Sequence, residues 1–133
     1  MRFAMFVAMG LAASLAGAAS AQAPDWSRAQ PITVRLSNFR FTPSTLVLQR
    51  GTAYRLHLVN AASGGHDFAA AQFFADSDIA PDDRPRIEKG RVALAGGGSA
   101  DIRLVPRVAG TYRLHCSHFM HSTFGMTGSI TVR

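Results

Sequence analysis

Residues 115 to 128 read HCSHFMHSTFGMTG, and this run holds the chain's single cysteine and three of its five histidines. Cys116, His121 and Met126 are spaced C-x4-H-x4-M. A strand ending at Cys116 and another starting near Gly128 would make the residues between them one tight loop, delivering three donors from one end of a β framework. A thiolate, an imidazole and a thioether together suit copper, which cycles between two oxidation states with such a mixed set. Zinc is the rival ion, since cysteine and histidine also bind it, but a thioether is a poor zinc ligand. A trigonal site of two imidazoles and one thiolate still lacks a histidine. His66, in GGHDF, is the donor to expect, because it follows a glycine pair that ends an alternating segment. It stands 50 residues before Cys116, so closing the site would tie distant strands together.

The loop offers more histidines than one ion needs. His115 directly precedes the cysteine on the same strand, so its side chain points to the opposite face. His118 gives the spacing C-x-H, which leaves little room for both groups to reach one ion at about 2 Å. His121 is therefore the expected ligand, with His118 as the alternative. Taken singly, Cys116 reads as a buried core residue, Met126 as a core filler and His66 as a turn residue. Their joint spacing is what points to a metal. His115, His118 and also His57, on the polar face of its strand, are expected to face solvent or to hydrogen-bond.

The elements that must position these residues are short strands. In ITVRLSNFRF, Ile32, Val34 and Leu36 share one face while Thr33, Arg35 and Ser37 share the other, the period-two pattern of a half-buried strand. Pro43 interrupts, Thr45 to Leu48 restart the pattern, and AYRLHLVN repeats it with Tyr54, Leu56 and Leu58 on one side. HDFA, VAL near residue 93, DIRLV, TYRLHC and GSITVR read as further strands, separated by the glycines at 96 to 98 and by residues 106 to 110. Regular short strands with such turns predict an all-β, two-sheet antiparallel sandwich. Residues 70 to 89 do not alternate and hold five acidic groups, so they predict a long crossover with one helical turn, its phenylalanines packed under the sheet and its acids exposed.

With these residues in view, the sequence resembles the cupredoxins, the blue copper proteins, over most of the chain after residue 21. FRFTPSTLVLQRGTAYRLHLVN looks like the family's opening strands, GGHDF like its first-histidine segment, and GTYRLHCSHFMHSTFGMTGSITV like its closing hairpin and metal loop. The resemblance implies a Greek-key sandwich that binds one type 1 copper ion, cycling between Cu(I) and Cu(II), through His66, Cys116, His121 and, axially, Met126. It also implies electron transfer as the role. Asp67 stands where the family commonly has asparagine; its backbone N–H is expected to reach the Cys116 sulfur, and its carboxylate either to favour oxidised copper or to pair with an arginine. The HC…H…M pattern is similar as well to the last domain of multicopper oxidases. Ser117 replaces one of the histidines needed there and the chain has no HxH pair, so an oxygen-reducing cluster is not expected and the protein reads as no enzyme.

Length and composition bound the rest. Arg2, an apolar run from Phe3 to about Ala16, and Ala19-Ser20-Ala21 have the layout of a secretion signal with cleavage after Ala21. The expected organisation is a signal peptide over 1–21, an extension over 22–30 and a copper-binding domain over 31–133. Removing 21 of the 133 residues leaves 112, enough for one domain. The apolar run is too short and alanine-rich for a membrane span, so a periplasmic location is expected. A lone cysteine in an exported chain cannot form an internal disulfide, which leaves chemistry, packing or intermolecular pairing. Without Arg2 there are 13 basic and 8 acidic residues, almost all the basic ones arginines scattered along the chain. That balance suits an acidic partner and, with no interleaved aromatic and basic residues, not nucleic acid. A monomer that meets a redox protein through an apolar rim of Phe119, Met120 and Phe124 is expected. The alternative is a copper-handling protein that sequesters or delivers the ion, with His115, His118 and Met120 as accessory ligands.

Overall fold

The computed structural model describes residues 22–118, 120, 121 and 123–133, with Ser14 and Gly17. The expected signal peptide, apart from those two positions, and Phe119 of the expected rim lie outside the described residues. No helix among the described residues is long and apolar enough to cross a membrane.

Ten strands form among the described residues: β1 (Gln30–Ser37), β2 (Arg40–Thr42), β3 (Thr45–Leu48), β4 (Tyr54–Asn60), β5 (His66–Ala69), β6 (Ser77–Ile79), β7 (Arg91–Leu94), β8 (Ser99–Pro106), β9 (Gly110–His115) and β10 (Thr127–Val132). One sheet has the order β2-β1-β4-β8-β6 and the other β3-β10-β9-β5-β7. The chain is thus an all-β two-sheet sandwich, as the alternation predicts. The pairing is not purely antiparallel: β1 runs parallel to β4 and β3 parallel to β10. The reason is topological. After the β1–β2 hairpin the chain crosses to the second sheet as β3 and returns as β4, pointing the same way as β1 and opposite to β2.

The apolar faces meet between the sheets. Val34, Leu36, Leu56, Leu58, Ile102 and Leu104 from one side pack with Leu46, Phe68, Leu114 and Ile130 from the other, all nearly or fully buried. Each such side chain contributes roughly 1.5–3 kcal/mol by leaving water. Cys116 and Met126 belong to this same core, so the chemistry-bearing loop is anchored in it.

The crossover expectation is met in part. A one-turn helix, α1 (Ala71–Ala75), buries Phe73 and Phe74, and Phe73 meets the Tyr112 ring edge-on at 5.7 Å. The acids are not all exposed, however. Asp83 is buried and accepts hydrogen bonds from the Arg103 backbone N–H at 2.9 Å and its Nε at 2.8 Å. Burial pushes the Asp83 carboxyl up, but those bonds and the guanidinium charge outweigh it and hold the carboxyl below its ordinary range. The segment also contributes β6, an edge strand along β8 that its three residues gave no periodicity to foresee.

Register places the turn at 38–39 and the connections 61–65 and 95–98 at one end of the sandwich, because β1 and β4 run toward it together and β8 starts there, Ser99 facing Val59. Asn60 fastens this end. It is fully buried, and its amide nitrogen lies within hydrogen-bonding range of the carbonyls of Gly64, Leu94 and Ala95 at 2.9, 3.2 and 3.1 Å. Its Oδ1 accepts from the Ala62 N–H at 3.0 Å. The segment that leads into His66 is thereby tied to the β7–β8 connection. Gly96 completes the closure: a Cβ there would stand 2.0 Å from the Ser63 carbonyl oxygen.

Asn60→Ala strands several of these buried polar groups and should lower the unfolding free energy by roughly 2–3 kcal/mol. Urea denaturation of the metal-free protein checks it; a loss within about 0.5 kcal/mol, the range of an ordinary surface change, would show that the clamp is unimportant.

Candidate metal centre

His66 opens β5, and its position follows from the Asn60 clamp just described. β9 ends at His115 beside Ala69, and the chain continues antiparallel to β5 so that Cys116 and Ser117 lie alongside Asp67. The Asp67 N–H donates to Cys116 Sγ at 3.5 Å, as expected. Cys116 N–H donates to the Met126 carbonyl at 3.1 Å, and Met126 N–H to the His121 carbonyl at 3.0 Å. These bonds tie Cys116, His121 and Met126 together by their backbones, and Met120 and Gly125 turn the chain at positive φ of 66° and 94°.

The three donors converge. His66 Nδ1 and His121 Nδ1 are 3.1 Å apart, and Cys116 Sγ lies 3.4 Å from His121 Nδ1 and 3.9 Å from His66 Nδ1. With bonds of about 2.0 Å to nitrogen and about 2.3 Å to sulfur, one ion at tetrahedral to trigonal angles spaces such donors by roughly 3.3–3.8 Å. The observed separations of 3.1, 3.4 and 3.9 Å come within about 0.2 Å of that range, so small shifts of the rings would let the residues hold a single metal ion. Met126 is fully buried and linked through its backbone to both Cys116 and His121. A thioether joining the donor set would give it the softness that favours copper over zinc.

The surroundings keep the donors in their binding forms. His66 Nε2 lies 3.3 Å from Asn38 Oδ1, and an amide oxygen only accepts, so the ring proton sits on Nε2 and the Nδ1 lone pair faces the centre. Burial, then the neighbouring His121 and His118 rings, hold the His66 pKa below the usual imidazole value and keep the ring neutral. Burial pushes the Cys116 thiol up, against opposing hydrogen bonds from the Asp67 and His118 N–H groups. A cation at the centre reverses that preference by displacing the thiol proton.

The Asp67 carboxylate is almost wholly buried and does not pair directly with arginine. It accepts from the Ser117 N–H at 2.7 Å and from the Ser117 hydroxyl, and Arg91 Nη1 reaches that hydroxyl at 3.1 Å. Aspartate and serine thus staple β5 to the cysteine strand from the outer face while the sulfur bond does so from the inner face.

Of the other histidines, His118 faces solvent and His57 hydrogen-bonds, as expected, whereas His115 Nδ1 does neither. His118 is outside the donor triangle. Its ring stacks on His121 at 5.4 Å and 14°, and its side chain is 41% exposed. His115 turns away from the core; its Nδ1 is buried and finds no hydrogen-bond partner among the described residues. His57 bonds Asp101 at 2.8 Å across the outer face of the first sheet. Three contributors escape sequence reasoning. Asn38 and Ser117 look like ordinary turn formers, and Phe39, which meets His121 edge-on at 5.2 Å, sits in a two-residue turn. With Met120 and Phe124, Phe39 makes an exposed apolar rim, the three being 41%, 41% and 60% accessible.

Comparison with known proteins gives the same picture. The profile described as "Cupredoxin-like domain" matches residues 5–132. The copper-resistant cuproprotein CopI of Rubrivivax gelatinosus is 30% identical over 109 residues, which cover 76% of this chain and 66% of that protein. The chain thus spans just under two thirds of that relative's length. Among solved structures, reduced auracyanin from Roseiflexus castenholzii superposes with a TM-score of 0.60 at 16% identity, covering 79% of this chain and 98% of that one. The multicopper oxidase McoA of Aquifex aeolicus gives 0.64 at 15% identity, covering 86% of this chain but 31% of the oxidase. At such identities the two structures speak to the fold.

Proposed function

The chain belongs to the cupredoxin-like family, and from that premise we propose that it is a periplasmic single-electron carrier with one type 1 copper ion, which His66, Cys116, His121 and Met126 would hold. The observation that carries the reading is the triangle of two Nδ1 atoms and one sulfur, with His66 and Cys116 buried and His121 half-buried, at the end of the sandwich. Copper held by these donors supplies a one-electron Cu(I)/Cu(II) couple with a covalent thiolate path into the protein.

Everything else is done by the chain. The Asn60 and Asp67–Ser117 contacts hold the donors so that a change of charge requires little rearrangement of the protein. Burial of His66 and Cys116 excludes water from one side of the centre. His121 is half-buried under Phe39, and the apolar rim gives a redox partner a surface for brief, weak association. The excess of arginine favours a partner with acidic groups around its own contact. The layout of Arg2, the apolar run and Ala19-Ser20-Ala21 supports export.

A second reading, sequestration or delivery of copper, is favoured by the CopI relative, whose name is that of a copper-resistance protein. The two readings differ in what a spectrum and a voltammogram record. The purified protein with Cu(II) should show an intense visible thiolate-to-copper band and a reversible couple, and Cys116→Ser should abolish the band. Copper that binds without the band, or without a reversible couple, would move the assignment to the handling role.

Asp67 tunes the couple. Its carboxylate would favour the more positive oxidised ion, and in an effective dielectric of about 20 a unit charge several ångströms away is worth on the order of 2 kcal/mol. Asp67→Asn keeps an oxygen for the Ser117 N–H and removes the charge, so the reduction potential should rise by roughly 50–100 mV. Protein-film voltammetry measures it; an unchanged or lower potential would contradict this role for the carboxylate.

A further inference from the structure

Beside the donor triangle stands one metal-binding side chain that the resident site does not use. His118 is two residues from Cys116, its ring lies parallel to that of His121 at 5.4 Å, and it is 6.4 Å from the His66 ring. His66 and Cys116 are almost inaccessible to solvent, whereas the His118 side chain is 41% exposed. Its Nε2 is 3.9 Å from Asp67 Oδ2, too far for a hydrogen bond but close enough for that buried carboxylate to attract a cation to the same spot. Gly65 makes room for the ring: a Cβ there would come within 3.2 Å of His118 Cε1.

We propose that His118 is a transit ligand: it takes a hydrated copper ion from solvent at the mouth of the centre and hands it to the adjoining His121, and it receives the ion first on the way out. The proposal rests on the copper-site reading above and adds to it a route of exchange. The physical need is plain. An ion entering a buried triangle must shed its water before it gains three protein donors, and the barrier falls if imidazole replaces water one ligand at a time. Three features make His118 the residue for this step. It stacks against the resident ligand that is itself half-buried rather than sealed. It is outside the triangle, so binding to it and binding at the centre are alternatives in sequence. The Asp67 carboxylate beneath it supplies negative charge where the ion arrives.

A transit ligand changes rates in both directions and leaves the endpoint alone. The test is stopped-flow uptake of Cu(II) salt by the metal-free full chain, followed at the thiolate-to-copper band, with release to a strong chelator measured separately. His118→Ala and His118→Gln should each slow uptake and release by the same factor, on the order of tenfold, with the final spectrum and the equilibrium affinity unchanged. The glutamine variant keeps a polar side chain of similar reach without the imidazole lone pair, so a wild-type rate in that variant would assign His118 a packing role and overturn the proposal. Wild-type exchange rates in the alanine variant would overturn it too, as would a changed spectrum with weakened affinity, which would make His118 a resident ligand. If the unmodified protein formed no thiolate-to-copper band at all, the copper-site reading itself would fall, an outcome distinct from a normal band with unaltered exchange.

Discussion

Everything at the metal end depends on the seam between β5 and the two residues that follow β9. His66 and Cys116 are 50 positions apart, and a flexible chain would rarely bring them within 4 Å of each other. The seam does so by backbone geometry. The Asp67 N–H reaches the cysteine sulfur on the inner face, and the Asp67 carboxylate holds Ser117 on the outer face. One residue thereby fixes the sulfur's position and supplies charge near the centre. The sandwich stabilises the seam in turn, since Phe68 and Leu114, the nearest core residues on the two strands, are fully buried.

Rigidity and access are divided within the centre. His66 and Cys116 come from the sealed side, where strands and the Asn60 clamp leave no freedom. His121 comes from the loop, under an apolar rim and beside an accessible imidazole. An electron carrier needs the first property so that charge can change without rearrangement, and the second so that a partner can approach. Copper exchange needs the same opening, which is why carrying electrons and handling copper draw on one architecture.

Much of this arrangement is legible in the sequence. Strand alternation gave the faces correctly, Val34 and Leu36 or Leu56 and Leu58 pointing inward, because burial on one side of a pleated strand imposes period two. The donors stood out because cysteine, histidine and methionine are chemically distinctive and gather between residues 115 and 126. What alternation cannot tell is the direction of a neighbouring strand, so the parallel β1–β4 and β3–β10 pairs were invisible. Asn38 and Ser117 were hidden for a different reason: asparagine and serine are the ordinary residues of turns, and only the fold reveals that one orients His66 and the other anchors Asp67. The burial of Asp83 escaped notice because its partner, Arg103, lies 20 residues away.

The central claim is that two imidazole nitrogens and one thiolate sulfur share a single copper ion. X-ray absorption at the copper edge of the loaded protein tests it most directly. The account predicts one short sulfur neighbour at roughly 2.2 Å beside two nitrogens at about 2.0 Å, with the sulfur shell lost in Cys116→Ser. A first shell of nitrogen and oxygen alone in the unmodified protein would contradict it.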